Sequence, residues 1–185
     1  MHIHLDKPAG ESLTAFRRVL SEAQRRQLTV QMGYMFRYNP GFQLLFRAVR
    51  SGWLGTLFEA HGVISKTVDD NTRNSLLEYP GGSMFELGCH LIDALLVAMG
   101  KPDRVTPYVR RTRPEQDSLA DNQLAVFEFP KATATIRSSL IEVQGQRRRQ
   151  FVVCGDRGTD AILPLEPPQA TITLAAPSGP LQKGV

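Results

Sequence analysis

Cysteine is scarce in this 185-residue chain: only Cys89 and Cys154 occur, too far apart for a zinc-ligand spacing and too few for a disulfide scaffold. Long apolar runs are missing as well. Stretches such as Leu95–Met99 fall far short of the ~20 residues that a membrane helix requires, so no membrane span is expected. Met1–Leu5 lacks the basic start and apolar stretch of a secretory signal, and a cytoplasmic location is expected. No Gly-x-Ser-x-Gly, Walker or Gly-x-Gly-x-x-Gly string is present, which argues against an esterase elbow and against a self-sufficient nucleotide site. Lysine is also rare, with 5 Lys beside 17 Arg. The arginine clusters (Arg17–Arg18, Arg25–Arg26, Arg110–Arg111 with Arg113, and Arg147–Arg149) are interleaved with 18 acids. They read as solvated faces, and no nucleic-acid partner is expected.

The remaining composition, 42% hydrophobic and 22% charged with a net charge of +4, is that of an ordinary globular chain able to bury a core. Residues 2–5 form a β-prone run ended by Pro8. Ser12 then caps a helix whose Leu13, Phe16, Val19, Leu20 and Ala23 recur at helical spacing. Residues 28–34 read as a second strand. Such a strand, helix, strand unit should be parallel, and by itself would leave both sheet edges free, so it reads as the end of a larger α/β domain.

A helix over 42–50 and a strand over 57–68 follow. The polar run Asp69–Asn74 is expected to be a loop, either solvated or binding. A helix is expected over 84–99, stopped by Gly100 and Pro102. Beyond it, strands over 105–111, 123–129, 132–143, 150–154, 161–163 and 170–174 predict a mostly antiparallel sheet with too few helices to cover both faces. The tail around Pro177–Pro180 is expected to fray.

Two places carry chemistry. Glu86, His90 and Asp93 share one side of the 84–99 helix, apart from the burying stripe Leu87, Leu91, Ala94, Leu95 and Ala98. A carboxylate beside an imidazole can orient it and raise its pKa, which suits a general acid or base; the same spacing also serves a surface ion pair. Lys7 follows a strand directly, at the edge where α/β folds bind ligands, although Asp-Lys-Pro alone is also an ordinary strand end. Glu-x-x-x-His lacks the paired histidines of zinc helices, and no metal site is expected.

Four segments together, residues 2–8, 30–40, 52–55 and Gly81–Asp93, resemble the Gfo/Idh/MocA oxidoreductases, with the late turn Val153–Thr159 in the right order. The resemblance implies an α+β class: an open-faced, mostly antiparallel sheet with helices on one face, preceded by the last β-α-β unit of a Rossmann-type domain. Residues 1–39 would be the remnant of that dinucleotide-binding domain and 40–185 the substrate and dimerisation domain. It further implies that Lys7, with Pro8, lies at the nicotinamide, that His90 is the acid/base, and that Glu86, where relatives more often carry aspartate, orients His90. Asp6 stands where relatives carry glutamate. Phe36, Arg37, Asp69 and Asn71 fall in segments that line the substrate pocket.

The function so implied is hydride transfer between a sugar or polyol-like hydroxyl compound and NAD or NADP. The glycine-rich cofactor loop is expected to be missing from these residues, so the isolated chain is expected to bind neither cofactor well and to be inactive. A homodimer or higher oligomer through the open sheet face is expected. The alternative is a truncated, non-catalytic sheet module that only folds and dimerises.

Overall fold

The computed structural model describes residues 1–182. Strand β1 (Ile3–Leu5) and strand β2 (Val30–Met32) pair in parallel, Ile3 opposite Val30 and Leu5 opposite Met32. Helix α1 (Leu13–Arg25) joins them, and the Ser12 hydroxyl accepts from the Ala15 amide at 3.2 Å, satisfying one of the donors a helix start leaves free. The unit is thinly covered: of α1 only Ala23 is buried, while Leu13, Val19 and Leu20 are exposed.

A 3-10 turn (Met35–Tyr38) leads into α2 (Pro40–Arg50). Asn39 caps α2 through the Gly41 amide at 2.9 Å, and Pro40 occupies the first turn, where a missing N–H costs nothing. Phe42, Leu45 and Phe46 of its inner side are buried. Strand β3 (Leu57–Ser65) follows, then α3 (Asp70–Leu76). The expected loop over 69–74 is thus a short helix, because the Asp69 carboxylate caps it by accepting from Thr72 N at 2.7 Å while Arg73 and Leu76 turn inward.

The helix expected over 84–99 begins differently. Met84–Gly88 is a π-helical turn, and α4 (Cys89–Met99) continues it. Gly81 and Gly82 precede it with φ of +89° and +55°, and a Cβ on Gly82 would stand 2.1 Å from the Ala120 carbonyl oxygen, so this entry requires glycine. The Gln123 side chain satisfies the Met84 amide at 2.7 Å. The stripe Leu87, Leu91, Ala94, Leu95 and Ala98 is buried, as its spacing predicts.

Strands β4 (Arg104–Arg110), β5 (Asn122–Phe129), β6 (Ala132–Ser139), β7 (Gln150–Gly155), β8 (Gly158–Leu165) and β9 (Pro168–Leu174) complete a seven-stranded sheet in the order β4-β5-β6-β3-β7-β8-β9. Every pairing is antiparallel except β3 with β6. The class is α+β. Helices α2 and α4 cover one face, burying Ala60, Ile64, Phe127, Ile136, Phe151 and Ile162 in one core. Alternation sends His61, Thr135, Arg137 and Val152 to the other face, each of them partly exposed; His61 Nδ1 and Thr135 Oγ1 meet there at 2.9 Å.

The tail does not fray where expected: Ser178 and Leu181 exchange backbone hydrogen bonds of 3.0 and 3.1 Å, and Gly179 lies against the Trp53 ring. No described helix is long and apolar enough to cross a membrane. Cys89 and Cys154 are separate free thiols.

Candidate active site

The end of β1, the end of β3 and the π turn meet at one place. Lys7, two residues past β1 and before a cis Lys7–Pro8 bond, sends its ammonium across 79 positions to the Glu86 backbone carbonyl at 2.5 Å, with Glu86 Oε1 at 3.7 Å. Lys66, directly after β3, approaches the same Oε1 at 3.2 Å. Glu86 therefore serves two ammonium groups through one oxygen, and its buried Oε2 has no hydrogen-bond partner.

The structure does not bear out the expected Glu86–His90 contact. The π turn places Glu86 on the lysines, and no hydrogen bond joins it to His90. His90 is 5% exposed, tilted against the Phe36 ring at 5.6 Å and edge-on to Tyr34 at 6.3 Å. Its Nδ1 is sealed without a partner, leaving Nε2 as the nitrogen able to meet a ligand. Burial first, then the Lys7 charge, hold its pKa below the ordinary value, which reverses the rise expected from a neighbouring carboxylate. His90 is thus a neutral imidazole at pH 7, fit to accept a proton.

Asp93 does not join this cluster directly. It takes the Arg37 guanidinium in a two-pronged pair, 2.8 Å from Nε and 2.6 Å from the terminal nitrogen, and Arg37 also lies 5.9 Å from the centre of the Tyr34 ring. Phe36, expected to line the substrate pocket, is 2% exposed and stacked on Phe42 at 4.6 Å; it forms the wall behind His90. Asp69 is spent on capping α3, and Asn71 lies exposed on that helix; neither is hydrogen-bonded to Lys7, Glu86 or His90. Burial pushes the neighbouring Cys89 thiol up to about 11, which makes it a poor nucleophile. No described group of three His, Cys, Asp or Glu could hold a metal ion.

Lys66 was not anticipated from sequence; the only signal was a lysine at the end of a long apolar strand. The chain's second polar centre was missed too. Buried Arg73 binds Asp117 and lies 2.8 Å from Asp121, which also accepts from the Thr112 amide at 2.9 Å.

Known proteins resemble this chain in sequence and in fold. The family model for the GFO/IDH/MocA C-terminal domain matches residues 42–160. A D-xylose 1-dehydrogenase (NADP(+)) of Haloferax volcanii is 26% identical over 143 residues, covering 75% of this chain and 43% of that relative. An inositol 2-dehydrogenase of Saccharopolyspora erythraea is 27% identical over 160 residues, 85% of this chain and 46% of the relative. The chain therefore spans under half the length of these curated relatives. Among solved structures, the aldose-aldose oxidoreductase of Caulobacter crescentus, complexed with glycerol, superposes with TM-score 0.82 at 20% identity, covering 98% of this chain and 56% of its own. The WlbA dehydrogenase of Bordetella pertussis, in complex with NADH and UDP-GlcNAcA, gives 0.82 at 17% identity over 96% of this chain and 57% of its own.

Proposed function

The chain belongs to the GFO/IDH/MocA family, and from that premise we propose that these residues form the catalytic and substrate-binding portion of an NAD(P)-dependent oxidoreductase acting on a sugar or polyol-like hydroxyl compound. The observation that carries the reading is the Lys7 ammonium fixed on Glu86 beside a buried, neutral His90 with one open nitrogen. On this reading residues 1–39 belong to a dinucleotide-binding fold and 40–185 to the substrate domain. The parallel pairing of β1 and β2, with Lys7 after the C-terminal end of β1, supports the first assignment.

The donor set fits the nicotinamide end of the cofactor: a cation at a strand end and a buried imidazole with an unpartnered nitrogen. When bound, the cofactor supplies the hydride acceptor. Lys7 and Pro8 would border it. His90 Nε2 takes the proton of the substrate hydroxyl as the carbon loses its hydride, so the hydroxyl carbon becomes a carbonyl carbon and the proton resides on the imidazole. The Lys7 ammonium donates to the same oxygen as negative charge develops there. Glu86 holds that ammonium in place, and Oε2 remains free to accept a second hydroxyl. Phe36 and Tyr34 keep water from the buried side of His90.

These residues contain no glycine-rich phosphate turn, so the 185-residue polypeptide alone is proposed to bind NADH and NADPH poorly and to turn nothing over. The sheet face opposite α2 and α4 is proposed to seat a second copy. The experiment joins the chain to the dinucleotide-binding half of the inositol dehydrogenase relative and follows NAD(P)H formation with sugars, polyols and their polyhydroxy acids. Turnover lost in His90→Ala supports the reading; a folded, cofactor-binding chimaera that oxidises none of them overturns it.

A further inference from the structure

The cations and anions around the site do not pair one to one. Arg37 is matched by Asp93 at 2.6 and 2.8 Å, and Arg149, which also donates to the Ser65 carbonyl at 3.1 Å, is matched by Glu166 at 2.7 Å. Asp6, whose charge reaches His90, is solvent-exposed and accepts from the Lys7 backbone amide at 2.8 Å. What remains is two partly buried ammonium groups, Lys7 and Lys66, sharing one oxygen of one carboxylate. Lys7 has a second anchor in the Glu86 carbonyl. Lys66 has none among the described residues, so its remaining N–H donors are unengaged on a side chain that is 24% exposed. Next to it lies Glu86 Oε2, a buried acceptor without a donor.

Two ammonium groups against one carboxylate leave a positive charge that an anion at Lys66 would match, and Oε2 needs a donor such as a hydroxyl. We propose that Lys66 is a specificity residue that binds a carboxylate on the substrate, so that the compound oxidised is a polyhydroxy acid rather than a neutral sugar or polyol. This deepens the dehydrogenase reading and rests on it. The backbone of Lys66 continues the β3–β6 ladder through its amide to Ser139 at 2.9 Å, so exchanging the side chain leaves the ladder intact.

The test is NMR titration of the 185-residue chain with D-gluconate and with D-glucitol, which differ in the carboxylate, following the His90 ring resonances; acetate is the charge-only control. Gluconate should bind at least about tenfold more tightly than glucitol or acetate, and Lys66→Gln should remove that preference while Lys66→Arg keeps most of it. Equal affinity for gluconate and glucitol, or for gluconate and acetate, overturns the carboxylate assignment and leaves the dehydrogenase reading in place. An unchanged preference in Lys66→Gln assigns the selection elsewhere and overturns the role of Lys66. If neither gluconate nor glucitol perturbs His90, the carboxylate assignment falls, while the dehydrogenase reading is decided by turnover of the chimaera.

Discussion

The ammonium of Lys7 donates to the backbone carbonyl of Glu86 at 2.5 Å, joining the thin β1–α1–β2 unit to the π turn of the sheet domain. Lys7 is only 17% exposed there, so the contact is sheltered from solvent. Hydrogen bonds to a charged donor contribute about 1.5–3 kcal/mol. Lys7→Met should therefore raise amide hydrogen exchange across residues 3–32 while leaving the seven-stranded sheet protected. Unchanged exchange in β1 and β2 would show that other contacts hold the unit.

Arg73 stands between two carboxylates, at 3% exposure against 10% for Asp117 and none for Asp121. Its pairing holds the Asp117 carboxyl below the usual carboxylate range. Removing the cation would strand both acids, and breaking such a buried pair costs about 3–5 kcal/mol. Arg73→Met should lower the urea midpoint accordingly, and Arg73→Lys should recover only part of it, because an ammonium lacks the flat two-pronged fork. A loss below about 1 kcal/mol would mark the network as effectively solvated.

Local patterning made most of the fold legible. The Ser12 and Asn39 caps, the stripe from Leu87 to Ala98 and the alternation of the later strands each act within a few residues, where sequence spacing speaks directly. What escaped depends on partners distant in the chain. Glu86 and Lys66 lie 20 positions apart and Arg73 and Asp117 lie 44 apart, and nothing local distinguishes those side chains from solvated ones. Helix α3 was hidden because it is polar along most of its length, with only Arg73 and Leu76 turned inward. The π turn moved Glu86 away from His90, a displacement that reasoning by four-residue spacing does not include.

Under the proposed function, His90 should set the acid limb of activity. Its pKa lies below the ordinary 6.5, by burial and by the Lys7 charge, so the neutral base persists into mildly acidic solution. In the chimaera proposed above, kcat/KM should fall only below that ordinary value. His90→Ala should cost about 10²–10⁴-fold in kcat, the usual worth of a positioned acid or base. In Lys7→Met the limb should move upward, since a cation opposing protonation is gone. A limb at or above the ordinary histidine value would contradict the buried, neutral imidazole.

Asp160 supplies the pH dependence of folding. It sits on the covered face of β8, opposite Val153 and Ile172, fully buried with neither oxygen hydrogen-bonded. Burial alone raises its pKa from 3.8 to about 7. The folded chain thus holds a proton there that the unfolded chain releases, and stability must fall as pH rises between those values. At about 1.4 kcal/mol per tenfold change in proton affinity, the loss approaches roughly 4 kcal/mol. Asp160→Val should remove this slope, and at pH 8 the variant should be more stable than the parent, since an apolar side chain suits the core the carboxylate now occupies. Urea unfolding at pH 5 and pH 8 reads both effects. A parent whose stability is the same at the two values, with the variant unchanged beside it, would place Asp160 in contact with water after all.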